Sequence, residues 1–161
     1  MSWLARPTLF RRAMNCWPPF LGAGIAVTRI SDDWRTVVVR MKMRFYNRNY
    51  FGTHFGGSLF AMTDPFYALM LAHNLGRDYW VWDKSGDIEF VKPGKGTVTA
   101  TFELDTETVS TVARVTADGE KHFQDFVVEI LDEHDDVVAR LNKTVYVRKK
   151  SRERNETSPD A

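Results

Sequence analysis

Cysteine is almost missing from this chain. Cys16 is the only one among 161 residues, so no intrachain disulfide and no cysteine-based metal site can form, and a lone thiol suits a reducing, cytoplasmic compartment. A surplus of one charge is missing too. Lys and Arg number 22 against 21 Asp and Glu, a net +1, which gives no reason to expect nucleic-acid binding. Long apolar runs are also absent. Arg6, Arg11 and Arg12 stand near the N-terminus, but no unbroken apolar stretch comes after them, so neither a signal peptide nor a membrane span is expected. There is no phosphate loop, no dinucleotide fingerprint and no internal repeat. Ser58 lacks the strand-Gly-x-Ser-x-Gly-helix setting of a nucleophile elbow. His54, His73, His122 and His134 have no ligand-like spacing, so no metal is expected.

What remains is an ordinary globular composition, 43% hydrophobic and 27% charged, at a length that suits one domain with one core. Aromatics, at 13%, are somewhat rich. That suits a sheet packed on a helix or a buried interface between subunits.

The chain opens with a short helix over Thr8 to Asn15, with Pro7 at its start and Pro18-Pro19 stopping it. Trp3, Leu4, Leu9, Phe10 and Trp17 give it apolar surface to dock with. A strand is expected over Ala23 to Ser31, then a turn at Asp32-Asp33. In the next strand Val37, Val39, Met41, Met43 and Phe45 alternate with Val38, Arg40, Lys42, Arg44 and Tyr46, the period of a strand buried on one face. A polar loop, Asn47 to Thr53, leads into a single long helix from Phe55 to Asn74, about 30 Å at 1.5 Å per residue. On it Phe60, Asp64, Tyr67 and Leu71 share one face, and Gly76 caps the end. Tyr79 to Asp83 and Asp87 to Val91 read as one strand, and Val98 to Leu104 as another. Thr106 to Thr116 reads as a short helix, or as part of a strand pair given its Val and Thr. His122 to Leu131 and Val137 to Val147 are the last strands. The expected organisation is one domain over residues 1–148 and a charged, disordered tail from Lys149 to Ala161. Strands in series imply an antiparallel sheet with the long helix along one face, an α+β arrangement. One helix leaves a face and an edge uncovered, which asks for a second subunit.

Chemistry is sought first at Asp64, an acid among apolar neighbours. Set against Phe60, Met62 and Tyr67 in a dry pocket, its carboxyl would have a raised pKa and serve as general base or nucleophile. Equally, Asp64 before Pro65 has the form of a helix start, with Asp64 as N-cap. Gly56 and Gly57 open the helix, where free N–H groups hold a carbonyl or a developing oxyanion, or where close packing wants glycine. His54 is a candidate base or substrate-orienting group, or a cap. Asn49 is a candidate partner for a carbonyl or a water, or a turn residue. Lys84, Lys92 and Lys95 are positioned to meet the phosphates of an anionic carrier, or are solvated edge residues.

With these residues in view the chain resembles the hotdog-fold thioesterases, in which a curved antiparallel sheet wraps around one long central helix and sites lie between paired protomers. The phenylacetyl-CoA-thioesterase-like branch carries a motif N-x-x-G-x-x-H-G-G, then an Asp seven residues after the second Gly. Asn49, Gly52, Gly56, Gly57 and Asp64 match it with the spacing intact, and Ile88 to Gly94 resembles the strand and turn that come next in such domains. The match spans Arg35 to Val147. The chain is still more similar to a bacterial hotdog group known as domains of unknown function, which shows Gly-Thr before the glycines and Asp-Pro in the helix, as in Gly52-Thr53 and Asp64-Pro65.

The resemblance implies an acyl-CoA thioesterase with no cofactor beyond the coenzyme A of its substrate, in a homodimer or dimer of dimers. It assigns Asp64 as base or nucleophile, by activated water or a transient anhydride. Gly56, with Gly57, would polarise the thioester carbonyl, and Asn49 of a second subunit would position water or carbonyl. His54 stands beside these as a catalytic candidate, and Phe55, Ser58, Lys84 and Lys92 as candidate substrate-binding residues. Two departures stand out: Phe55 occupies the place of the family histidine, with His54 one step earlier, and Lys92 stands where related enzymes place Ser or Thr. One helical step turns a side chain by about 100°. The Phe55 departure leaves a non-catalytic acyl-binding protein as the alternative reading. A dehydratase shares the fold but wants a His and an acid placed together. The helix stripe Phe60, Met62, Phe66 and Met70 would favour an apolar or aromatic acyl chain, or is ordinary core.

Overall fold

The computed structural model describes residues 6–150. Its elements run α1 (Pro7–Cys16), α2 (Pro18–Ala23), β1 (Ile25–Ile30), β2 (Thr36–Lys42), α3 (Gly56–Ala61), α4 (Phe66–Leu75), β3 (Tyr79–Phe90), β4 (Thr97–Glu103), α5 (Thr106–Val115), β5 (Lys121–Leu131) and β6 (Val137–Lys149). The strands form one six-stranded sheet in the order β1-β2-β4-β5-β6-β3, every neighbouring pair antiparallel. This is the α+β class expected of strands that succeed one another with short connections.

Parity decides which side chains enter the core. Along β2, Val37, Val39 and Met41 are buried while Arg40 and Lys42 are exposed. Antiparallel register sets these three opposite Phe102, Ala100 and Val98 of β4, so both strands turn the same side inward. On that side lie Leu59 and Met62 of α3 and its end, and Phe66, Met70 and Leu71 of α4, all buried. Each such side chain contributes about 1.5–3 kcal/mol on leaving water, which holds the helices to the sheet. Phe66 meets Phe20 and Phe102 ring to ring, at 6.1 and 5.0 Å between centroids.

The long central helix is not continuous. It is two helices, α3 and α4, joined at residues 62–65. Pro65 has no N–H to offer and disfavours α geometry in the residue before it. The ladder instead tightens into three-residue closures, Thr63 N–H to Phe60 O at 3.0 Å and Asp64 N–H to Ala61 O at 3.4 Å. Asp64 does not cap α4, whose N-cap is Pro65. Of the expected stripe, Met62, Phe66 and Met70 are core residues, while Phe60 is only partly buried against that core.

Smaller differences have local causes. Pro18 and Pro19 not only end α1 but open α2, at the first positions where a missing N–H costs nothing. Strand β2 stops at Lys42, short of Phe45, because buried Asn47 folds the chain back. Its Oδ1 accepts the Arg44 N–H at 2.6 Å, and its Nδ2 donates to Lys42 O and Ala23 O, both at 3.0 Å. The segment after Asp105 is helical, with Asp105 accepting the Thr108 N–H as N-cap. Strand β3 is one strand of 12 residues with a bulge between Asp83 and Ser85. Lys149 belongs to β6, and the Lys150 N–H donates to Asp78 O at 2.8 Å, so the chain is structured two residues further than expected. Residues 151–161, with Trp3 and Leu4, lie outside the described residues. Strands β1 and β3 are the sheet's edges, and the solvent side of β3 has no strand partner among the described residues.

Candidate active site

The loop from residue 47 to 55 is built around Asn49. Its Oδ1 accepts the N–H groups of Phe51 and Thr53 at 3.0 and 3.1 Å, and its Nδ2 donates to Thr53 Oγ1 and His54 O at 2.9 and 3.3 Å. Gly52 takes a left-handed φ of 74° at the tip. An Asn whose amide closes its own loop in this way is a turn residue in this protomer. The loop lifts Tyr50 and Phe51 almost fully into solvent.

His54 leads the other way, into the protein. It is 3% exposed, and its N–H donates to Gly94 O at 3.0 Å. Nε2 lies 3.1 Å from Gly96 O, and a carbonyl only accepts, so Nε2 carries the proton. Nδ1 is left buried without a partner among the described residues. Burial holds the imidazole below its ordinary pKa, partly offset by the bond to Gly96 O. His54 thus pins the loop to the turn after β3.

Phe55 then ends the loop as the N-cap of α3, in extended conformation. Ser58 and Leu59 direct their N–H groups to Phe55 O at 2.9 and 3.1 Å. The Gly56 and Gly57 N–H groups find no acceptor among the described residues, as expected in a first helical turn. Two rings flank them: Phe90 of β3 lies over Gly56, and Phe55 over Gly57. Beside this helix start is a cleft of about 440 Å³, lined by Phe51, His54, Gly56, Leu59, Phe90 and Val91 among others. It is mostly apolar, with backbone donors at one end, a common composition for a small-molecule site. Asn49 and Lys92 also line it, whereas Ser58, Lys84 and Asp64 do not.

Asp64 sits at the far end of α3 in a different setting from the expected dry pocket. Its side chain is 51% exposed, and Oδ1 accepts from Lys143 Nζ at 2.8 Å. Lys143 projects inward from β6 and is only 2% exposed; its ammonium also lies 3.2 Å from Asp83 Oδ2 of β3. Burial raises the pKa of Asp83, against the pull of Lys143 and with a small push from Asp64. Asp83 Oδ1 is buried and unpartnered among the described residues. Two carboxylates from different elements therefore converge on one buried cation.

Sequence reasoning missed Lys143, Asp83 and Phe90. A signal existed for the lysine. Ala139, Leu141, Val145 and Val147 are fully buried at alternate positions of β6, and Lys143 stands in that row. Lys92 is already engaged: Asp132 and Asp136 each lie 2.7 Å from its ammonium and raise its pKa. Lys84 is exposed on β3.

The family model for a domain of unknown function, DUF4442, matches residues 6–147. Among solved structures the chain is similar to a Pseudomonas aeruginosa protein of unknown function described as a probable thioesterase. That match has 20% identity over 90% of this chain and 99% of that one, with a TM-score of 0.78. A Haemophilus influenzae thioesterase matches at 15% identity over 88% and 90% of the two chains, TM-score 0.64. The E. coli PaaI protein, from the phenylacetic acid degradation operon, matches at 19% identity over 87% and 90%, TM-score 0.60. No curated protein matches by sequence. At these identities the likeness establishes the fold. The chain belongs to the DUF4442 family and has the hotdog fold of these thioesterases.

Proposed function

We propose that the protein is an acyl-CoA thioesterase that works as a homo-oligomer, with Asp64 as general base or nucleophile. The observation that carries this reading is the Asp64 carboxylate itself: half exposed, yet held on one oxygen by a buried ammonium. A carboxylate with one fixed oxygen and one open oxygen suits attack on, or activation of water towards, an electrophilic carbonyl. The cleft at the α3 N-terminus supplies the complementary parts, unpaired N–H groups for the thioester oxygen and apolar walls for an acyl group. Gly56 opens α3, whereas Asp64 lies beyond its end, at the joint before α4. In this reading Gly56 of one protomer and Asp64 of another form the site, with the second copy set against the free edge of β3. Exposed Trp82 and Phe90 on β3, with Phe51 and Phe55 of the loop, are apolar surface fit for such a contact.

The test is thiol release from short, medium, long and aromatic acyl-CoAs, comparing wild type with Asp64→Ala of verified fold. Turnover of one class, lost by about 10²-fold or more in the variant, is expected for a general base. If wild type releases no thiol from any substrate, the non-catalytic acyl-binding reading replaces this one. Phe55 in place of a histidine favours that second reading, and acyl-CoA raising the melting temperature without turnover would support it.

A further inference from the structure

We propose that Lys143 is a positioning residue for Asp64: it fixes one carboxylate oxygen so that the other faces the substrate, while Asp83 supplies the second charge that keeps the ammonium buried. This rests on the thioesterase reading and names the residue that makes Asp64 usable.

Lys143 stands in an apolar row of β6. Its neighbours of the same parity, Leu141 and Val145, are fully buried, and a lysine at such a place is costly unless paired. Two carboxylates pair it, at 2.8 and 3.2 Å. If neutralising a buried ammonium were all that mattered, Asp83 alone would suffice, being on the neighbouring strand and partly buried. The second contact reaches off the sheet to Asp64, at the joint where Pro65 has interrupted the helix. At that joint no neighbouring group among the described residues bonds the Asp64 carboxylate. Lys143 is the only described residue that hydrogen-bonds the Asp64 side chain, and it takes Oδ1 alone.

The lysine itself is held. Gly86 lies opposite it on β3. A Cβ there would come 3.6 Å from Lys143 Cδ and 3.0 Å from the Phe60 ring, so the stem runs between the β3 backbone and α3. On its other side β5 presents Phe126. The charged groups facing the ammonium are thus Asp83 from β3 and Asp64 from the α3–α4 joint. Asp125 of β5 is bonded instead to Thr144 Oγ1 at 2.6 Å. An enclosed stem with a tethered head is a fixed donor, and an aimed carboxylate is what attack on a thioester requires.

Lys143→Met alone strands Asp83 with a buried charge and is apt to unfold. Lys143→Met with Asp83→Asn removes both charges at similar volume, so that neither is left without its partner. The expected result is a double variant that melts within a few degrees of wild type, keeps KM within about twofold, and loses kcat by about tenfold or more. Wild-type kcat in the double variant would overturn the proposal and leave Lys143 a structural partner of Asp83. A second readout needs no turnover. The Lys143 ammonium should give a slowly exchanging nitrogen-15 lysine resonance that moves on Asp64→Ala. A resonance indifferent to Asp64→Ala also overturns the proposal. Absence of thiol release by wild type would remove the thioesterase reading, and the resonance would then decide alone whether Lys143 holds Asp64.

Discussion

Gly94 lies against Val138 so closely that a Cβ added to the glycine would come within 2.8 Å of Val138 Cγ1. Val138 cannot yield. It is fully buried, and its carbonyl accepts the N–H groups of Val91 and Lys92 at 2.9 and 3.2 Å. The Gly94 carbonyl in turn holds the His54 N–H, so the site loop hangs on this contact. Gly94→Ala should destabilise by about 1–3 kcal/mol, the usual cost of overpacking. Gly56→Ala meets the Phe90 ring at 2.9 Å, but that ring is more than half exposed and can swing away, so the cost should be smaller. Urea unfolding of both variants checks the order, and equal losses would contradict it.

Acid should weaken the fold through two histidines. Burial lowers the pKa of both His54 and His73, the latter stacked on Trp34 at 3.5 Å with the rings 6° from parallel. The unfolded chain takes up protons near the ordinary value of 6.5 while the folded chain resists. Stability is therefore complete above that value and falls as pH drops below it, until the folded imidazoles protonate. Melting temperatures taken from about pH 7.5 to 5 should decline, and His54→Gln, which keeps a donor for Gly96 O, should flatten the decline. A slope unchanged by both His54→Gln and His73→Gln would count against this account.

Tyr67 should ionise only in strong alkali. Burial, with the Glu103 charge nearby, pushes its phenol up to about 12. Its O–H donates to Val127 O at 3.2 Å, and its ring stacks on Phe126 at 4.0 Å. Spectrophotometric titration should show a tyrosine step near pH 12 that disappears in Tyr67→Phe. That variant loses one buried hydrogen bond, about 0.5–1.5 kcal/mol.

The ring over Gly56 should matter for binding. Phe90→Ala removes a wall of the cleft while leaving the α3 N–H groups in place. Loss of about 1–2 kcal/mol of apolar contact would raise KM for the preferred acyl-CoA roughly 5- to 30-fold. A fall in kcat with KM unchanged would place the acyl group elsewhere.

A site shared between protomers can be tested by mixing. Asp64→Ala and Gly56→Val homo-oligomers should each be inactive. Unfolded together and refolded as random dimers, they should regain about a quarter of the wild-type sites. No recovery would argue for a site within one chain.

Much of the fold was legible because strand burial is a period of two. Val37, Val39 and Met41, and later Val98, Ala100 and Phe102, declare their inward face through spacing alone. The same pattern overran at Met43 and Phe45, because it carries no information about Asn47, whose amide turns the chain three residues after Arg44 begins that turn. The helix was legible as apolar surface but not as one or two pieces. Both the Asp-Pro start and the continuous helix had local support, and packing of Met62, Thr63 and Phe66 on either side of the joint chose a third arrangement.

By itself the sequence determined the α+β class, the strand parity, and the spacing that sets Gly56, Gly57 and Asp64 along one segment. These come from backbone geometry and near-neighbour sterics, which are local. Only the tertiary structure decided that Lys143, 79 positions away in the chain, meets Asp64, that Asp83 joins them, and that His54 turns inward to Gly96. Those pairings depend on which strands lie side by side and on what is left unsatisfied when water is removed. Desolvation is a property of the assembled core, and no window of sequence contains it.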